Sequence, residues 1–341
     1  MFFDNVKCLE CGRELGFAPE VQSIVALEAT PNGNYLVRVR PNMPYSKCQN
    51  YREYQACNWL VPVESGVALC RSCRLNRIVP DLSNDGNRVK WSRVEAAKRR
   101  LIYSLDALKL PLESKEANAE LGLAFDIKAN TADCAVMTGH SDGVIAFNLD
   151  EADSVTREKT RLAMNERYRS PLGHFRHESG HYYFDVLLRD SPMIAEFRQL
   201  FGDEREDYDA ALKHHYACVG SAEPSPNFVS QYASSHPWED WAETWAHYLH
   251  MVDTLETAQS FGFMKNRAKT FVELIDNWLR LTVVLNALNR SMGLDDAYPF
   301  SIGSVVQGKL EFVHRIVVAS SRVGRKRISP RAKQITTSIA S

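Results

Sequence analysis

Apolar positions recur at two different spacings along the chain, and the changes of period mark its elements. Over 91–110, Val94, Ala97, Leu101, Leu105 and Leu108 fall on one face of a helix, which Pro111 stops. The polar run Asp81-Leu82-Ser83-Asn84-Asp85-Gly86-Asn87 before it reads as a linker with turn chemistry. Short strands are expected upstream at 23–28 and 35–40, and downstream at 121–127 and 134–138. A turn at His140-Ser141-Asp142-Gly143 leads into a further strand at 144–149. Helical periodicity then runs over 151–189, broken at Ser170-Pro171, and resumes at Trp238 after a polar stretch, 220–237, that carries three prolines. No internal repeat appears. The longest apolar run in the second half is broken by Thr282 and Asn286, far short of the ~20 residues of a membrane span.

At 341 residues the chain is long enough for two domains at ~150 residues each. The pattern divides it into a cysteine-rich module at 1–80, an α+β domain at 90–320 that is mainly helical with a small sheet, and a basic tail at 321–341. From Arg315 onward the chain has seven Lys or Arg and no acidic residue, which reads as a solvated, flexible end. The net charge of −1 excludes a global basic field for nucleic acid or anionic membranes. Met1-Phe2-Phe3-Asp4-Asn5 lacks a basic, then apolar, export signal. A cytoplasmic protein with no membrane partner is expected.

Without an export signal, cysteines read as metal ligands or buried thiols and not as disulfides. Six of the eight precede residue 74: Cys8, Cys11, Cys48, Cys57, Cys70 and Cys73. Cys8-Leu9-Glu10-Cys11 and Cys70-Arg71-Ser72-Cys73 have the spacing that lets one tight knuckle fill two corners of a zinc tetrahedron. A plain ribbon would use Cys8, Cys11, Cys70 and Cys73; the other set is Cys48, Cys57, Cys70 and Cys73. Six thiolates do not make two complete sites. Cys134 and Cys218, isolated later, read as buried thiols. A module this small would take its folding free energy from the metal, so metal loss is expected to unfold it and spare the helices of the second domain.

The chemistry centres on His177-Glu178-Ser179-Gly180-His181. On a helix the two histidines stand one turn apart on one side, where both imidazoles can hold one zinc. Glu178, offset by one residue, can take the proton of an attacking water. A catalytic zinc needs a third protein ligand and an open position. Glu239, Glu243 and His247, spaced i, i+4, i+8 among Trp238, Trp241 and Trp245, form a polar stripe on an otherwise apolar helix. One of the three would bind zinc and the next would hold a ligating histidine through its ring N–H. The stripe alone leaves them equivalent.

Cys57-Asn58-Trp59-Leu60-Val61-Pro62, Cys70-Arg71-Ser72-Cys73-Arg74, His174-Phe175-Arg176-His177-Glu178 and Trp238-Glu239-Asp240-Trp241-Ala242-Glu243-Thr244-Trp245-Ala246-His247 together resemble a bacterial family of zinc-binding metallopeptidases with a zinc-ribbon head. The resemblance covers nearly the whole chain except the basic tail. Members of that family usually carry a further cysteine pair ahead of the Phe-Phe-x-Asn stretch, which the resemblance offers as the reason for the uneven thiolate count. A more distant resemblance is to the peptidase domain of anthrax lethal factor, a gluzincin with an E-x-x-A-E helix. It implies that Glu239 binds zinc, that Glu243 supports a ligating histidine, and that Tyr232 stabilises the oxyanion.

These resemblances imply a zincin-like domain whose sheet offers an edge strand, here 144–149, to an extended peptide. The implied reaction is hydrolysis of a peptide bond with one catalytic and at least one structural zinc. The rival is a zinc-dependent scaffold or adaptor, its ribbon binding protein or nucleic acid and its His-Glu site structural or regulatory. An intact Glu178 argues for the enzyme, because a structural site needs no general base.

Overall fold

The structure is a computed structural model that describes residues 3–131, 135–163, 166–218, 225–265 and 267–328. The N-terminal part contains strands β1 (Leu15–Ala18), β2 (Ser23–Ala26), β3 (Glu28–Ala29), β4 (Tyr35–Val37) and β5 (Arg40–Lys47), helix α1 (Gln49–Tyr54), and strand β6 (Leu60–Pro62). β1 and β2 form an antiparallel pair, and β3-β4-β5-β6 a four-stranded antiparallel sheet.

Strand β7 (Asn76–Ile78) leaves this part and joins a second sheet with β8 (Ala124–Lys128), β9 (Gly139–Ser141) and β10 (Val144–Asn148). The order is β7-β8-β10-β9, with β7 and β10 parallel to β8 and β9 antiparallel to β10. The strand expected at 144–149 therefore forms, but as an interior strand and not as the edge. The cause is the turn: Asp142 and Gly143 both take positive φ (47° and 70°), the two-residue hairpin geometry that folds 139–141 back onto β10. Apolar alternation identifies a strand and leaves its neighbours open. Of the strand expected at 134–138, residues 135–138 form no strand, and Cys134 lies outside the described residues, as does the Cys218 side chain.

Helix α2 (Asp85–Ala107) starts inside the stretch expected to be a linker. Asn84 caps it, its side-chain oxygen accepting from the Gly86 and Asn87 amides at 2.9 and 3.4 Å. Then follow α3 (Ser154–Ala163), α4 (Pro171–Leu187), α5 (Ile194–Phe201), α6 (Tyr208–Cys218), α7 (Pro237–Ser260), α8 (Phe271–Ser291) and α9 (Ser304–Ile328). The helix of α9 carries through the first residues of the expected tail, and 329–341 lie outside the described residues. Among the described residues no helix is long and apolar enough to cross a membrane. The architecture is α+β, as expected.

One hydrophobic core runs through both parts, from Cys48, Trp59 and Cys70 through Trp91 and Phe125 to Phe175, Trp241 and Val313. Charged groups of α2 seal the junction. Lys98, fully buried, pairs with Glu95 at 2.9 Å and hydrogen-bonds Asn76; Arg99 donates to the Ala56 carbonyl. The Cys73 sulfur lies 3.9 Å from Glu95. A second, smaller cluster of Ala18, Val25, Leu27, Val37, Tyr45 and Leu60 lies within the head, while the shared core, which includes Cys70, and β7 tie the head to the second sheet. Cys70→Ser is thus expected to lower the melting temperature of the whole chain in one calorimetric transition, by about 10 °C for a loss of a few kcal/mol. Two separated transitions, the upper one unchanged, would restore the independent head.

Candidate active site

Two helices build the site. α4 opens on Ser170, whose hydroxyl accepts from the Gly173 amide at 3.0 Å, with Pro171 in the first turn. α7 opens on His236, whose Nδ1 accepts from the Trp238 amide at 3.1 Å, followed by Pro237. Their approach is unusually close. A Cβ on Gly180 would stand 2.8 Å from Ala242 Cα, so only glycine fits there. Two tryptophans of α7 grip the same turn: Trp241 Nε1 donates to the Gly180 carbonyl at 2.8 Å, and Trp245 Nε1 to Ser179 Oγ at 3.1 Å.

That approach brings three donor atoms to one point. His177 Nε2 and His181 Nε2 are 3.2 Å apart, and Glu239 Oε2 lies 3.0 and 3.4 Å from them. Zinc bonds of ~2.0–2.1 Å to nitrogen and oxygen make a tetrahedron with edges of ~3.3–3.4 Å, so the donor set and its spacing fit this ion. Glu243 stands on the opposite side of the His177 ring, its Oε1 2.7 Å from Nδ1 and its Oε2 accepting from the Ser230 hydroxyl at 2.6 Å. His247 reaches neither histidine; its Nδ1 meets the Tyr298 hydroxyl at 2.7 Å, against Phe300. One turn along the helix carries it out of range of the ligand rings. The Tyr232 ring stands 5.9 Å from that of His177. The Glu178 carboxylate is buried close enough to Tyr208 and Tyr232 for its charge to act on both hydroxyls.

The electrostatics follow from this crowding. Burial pulls the His177 imidazole down, but the Glu239 and Glu243 carboxylates override it and hold it well above its ordinary value. Burial works against Glu239 as an anion, yet the two imidazoles hold it well below the carboxylate range. Glu243 is likewise lowered to about 2 by His177 against the pull of burial. Burial brings His247 down to about 4 and raises the Tyr232 hydroxyl, with the Glu239 charge adding to the latter.

The second cluster is Cys48, Cys57, Cys70 and Cys73, all buried, with sulfurs within 4.8 Å of one another. Cys57 and Cys70 Sγ are 3.8 Å apart, the edge of a tetrahedron with ~2.3 Å zinc–sulfur bonds and far outside disulfide range. Amides point at three of the sulfurs: Cys70 N to Cys48 at 3.3 Å, Trp59 N to Cys57 at 3.4 Å, and Cys73 N to Cys70 at 3.5 Å. The plain ribbon of Cys8, Cys11, Cys70 and Cys73 does not form. Cys8 and Cys11 make their own knuckle, closed by Gly12 at φ 71° and its amide on the Cys8 carbonyl, and Cys11 is exposed. Knuckle spacing identifies pairs of thiolates without saying which pairs meet; α1, between Cys48 and Cys57, brings the inner pair in.

Several site residues have no periodic signal in the sequence. Ser230 and Tyr208 sit in polar stretches, and Tyr208 donates to Glu239 Oε1 at 2.6 Å. Trp238 lies against the His181 ring at 3.9 Å. His140 of β9 stacks on His181 at 6.3 Å.

Residues 87–316 match the model of a family described as "Putative zinc-binding metallo-peptidase", and residues 1–84 match a zinc-ribbon domain. One protein of Mycobacterium bovis and two of Mycobacterium tuberculosis strains, each called uncharacterized, are 40% identical to this chain over 325 residues, covering 92% of it and 91% of their own length. No solved structure matches.

Gly180→Ala is expected to push α7 away from α4, costing about 1–3 kcal/mol through overpacking and reducing bound zinc. Gly308→Ala on α9, where a Cβ meets nothing within 4 Å, is the matched control and should be neutral or stabilising. Thermal melts and elemental analysis of both variants decide it; equal zinc in the two would mean the close approach does not set the site.

Proposed function

The chain belongs to the zinc-binding metallopeptidase family, and we propose that it hydrolyses peptide bonds at the centre formed by His177, His181 and Glu239. The observation that carries this reading is the convergence of those three donors at tetrahedral spacing, with Glu178 one residue along the same helix. A zinc ion held there supplies Lewis acidity, polarising the scissile carbonyl and acidifying water.

The chain's own groups do the rest. Glu178 accepts the proton of the attacking water and returns it to the leaving amine. Tyr232, kept protonated by burial and the neighbouring carboxylate, donates its hydroxyl hydrogen bond to the developing oxyanion. Glu243 fixes the ring of His177 from behind, and Ser230 fixes Glu243. Among the described residues β9 ends the sheet, next to His181, and an extended peptide can add there as a further strand. The cysteine cluster takes a second, structural zinc.

Elemental analysis of the purified chain is expected to find at least two zincs, one of them lost in His177→Ala. A zinc content unchanged in His177→Ala would mean that the histidines hold no zinc. Glu178→Gln should keep its zinc and cleave peptides from an unbiased library ~10²–10⁴-fold more slowly; a wild-type rate would discard Glu178 as the base. Glu239→Ala should lose tight zinc binding, whereas Glu243→Ala should weaken it only ~10–100-fold. The opposite order would shift the assignment by one turn of α7.

A further inference from the structure

Helix α6 reaches the site through its first residue. The Tyr208 hydroxyl donates to Glu239 Oε1 at 2.6 Å, while Oε2 of the same carboxylate faces the two histidine nitrogens. The Tyr208 ring is set by edge contacts with Trp238 at 5.8 Å and His236 at 5.2 Å, and Trp238 in turn backs the His181 ring. The Tyr232 hydroxyl also faces that of Tyr208. We propose that Tyr208 is a positioning residue that keeps Glu239 bound to the zinc through one oxygen only, an inference that rests on the ligand set proposed above.

The constraint on Glu239 is stereochemical. A carboxylate offers a cation one oxygen or two, and the terminal torsion of a glutamate is soft. Without a partner, Oε1 would swing toward the ion and occupy the position that water and substrate need. A phenol donating to an ionised carboxylate makes a strong, short bond that holds Oε1 away. Tyr208 is the group that meets Oε1, and its ring contacts fix the direction from which it does so. Glu243 and Ser230 orient the His177 ring; Tyr208 orients the carboxylate.

Tyr208→Phe removes the hydroxyl and keeps the ring between Trp238 and His236. Tyr35→Phe, on β4 and away from the histidine site, is the control. In the full chain, chelator competition is expected to show zinc binding at the histidine site weakened ~10–100-fold in Tyr208→Phe and unchanged in Tyr35→Phe. With cobalt(II) in place of zinc, the spectrum of the histidine site, isolated as the difference from His177→Ala, should lose intensity as a fifth ligand enters. The cobalt signal of the cysteine site in the same sample reports that the chain is folded. Wild-type affinity with an unchanged cobalt spectrum in Tyr208→Phe would overturn the inference. Metal binding at the histidine site that is the same in Glu239→Gln as in the wild-type chain would instead overturn the ligand set beneath it.

Discussion

The close approach of α4 and α7 is the constraint from which the site follows. Ligands from two helices can share one ion only if the helix axes come near enough for a glutamate on one to meet histidines on the other. Gly180 against Ala242 permits that distance, and the indole N–H groups of Trp241 and Trp245 fix it by bonding the very turn that separates His177 from His181. Ser179 and Gly180, two of the three residues between the histidines, thus set the spacing of the helices. A larger side chain at either would leave every ligand present and the ion without its third donor.

Burial of the charged groups beside the site is tolerated because each meets an opposite charge, and those partners tie distant parts together. Arg176, beside His177, pairs with Asp253 near the far end of α7, and Arg100 of α2 pairs with the same carboxylate. Asp240, beside Glu239, meets Lys309 of α9; burial still lifts its carboxyl to about 7 against the pull of that ammonium. Such pairs add little net stability compared with apolar packing, but losing one partner strands a charge in the core. Their effect is positional. The residues next to the ligands are pinned to α2 and α9, so neither helix can turn about its axis without breaking an ion pair.

How much of this was legible in the chain depends on the range of the interaction. The His177–His181 pair is set by helical geometry alone, and the Glu239–Glu243 stripe by the same period, so both could be read locally. The Asn84 cap was local too, but its polar neighbours looked like a linker because Asp85, Gly86 and Asn87 carry no apolar periodicity. The pairing of cysteines and the interior place of β10 were out of reach for a different reason. Both depend on which segments meet in space, and a knuckle or an alternating strand looks the same with any partner. Ser230 and Tyr208 are the extreme case: single hydroxyls in polar stretches, given a role only by the carboxylate they meet.

The direction of charge links these observations. Around the histidines the chain gathers Glu178, Glu239 and Glu243, and around the cysteines it sets Lys98 and Arg99. The first arrangement concentrates negative charge, which is what a divalent cation held by the histidines would neutralise. Around the cysteines Glu95 pairs with Lys98, so these neighbours leave a single positive charge, that of Arg99. The two clusters therefore differ in their surroundings: carboxylates crowd the histidines, and an ion pair and a guanidinium of α2 crowd the cysteines. Because the same helix carries Arg100 to Asp253, α2 ties the cysteine cluster to the scaffold on which the histidine cluster stands.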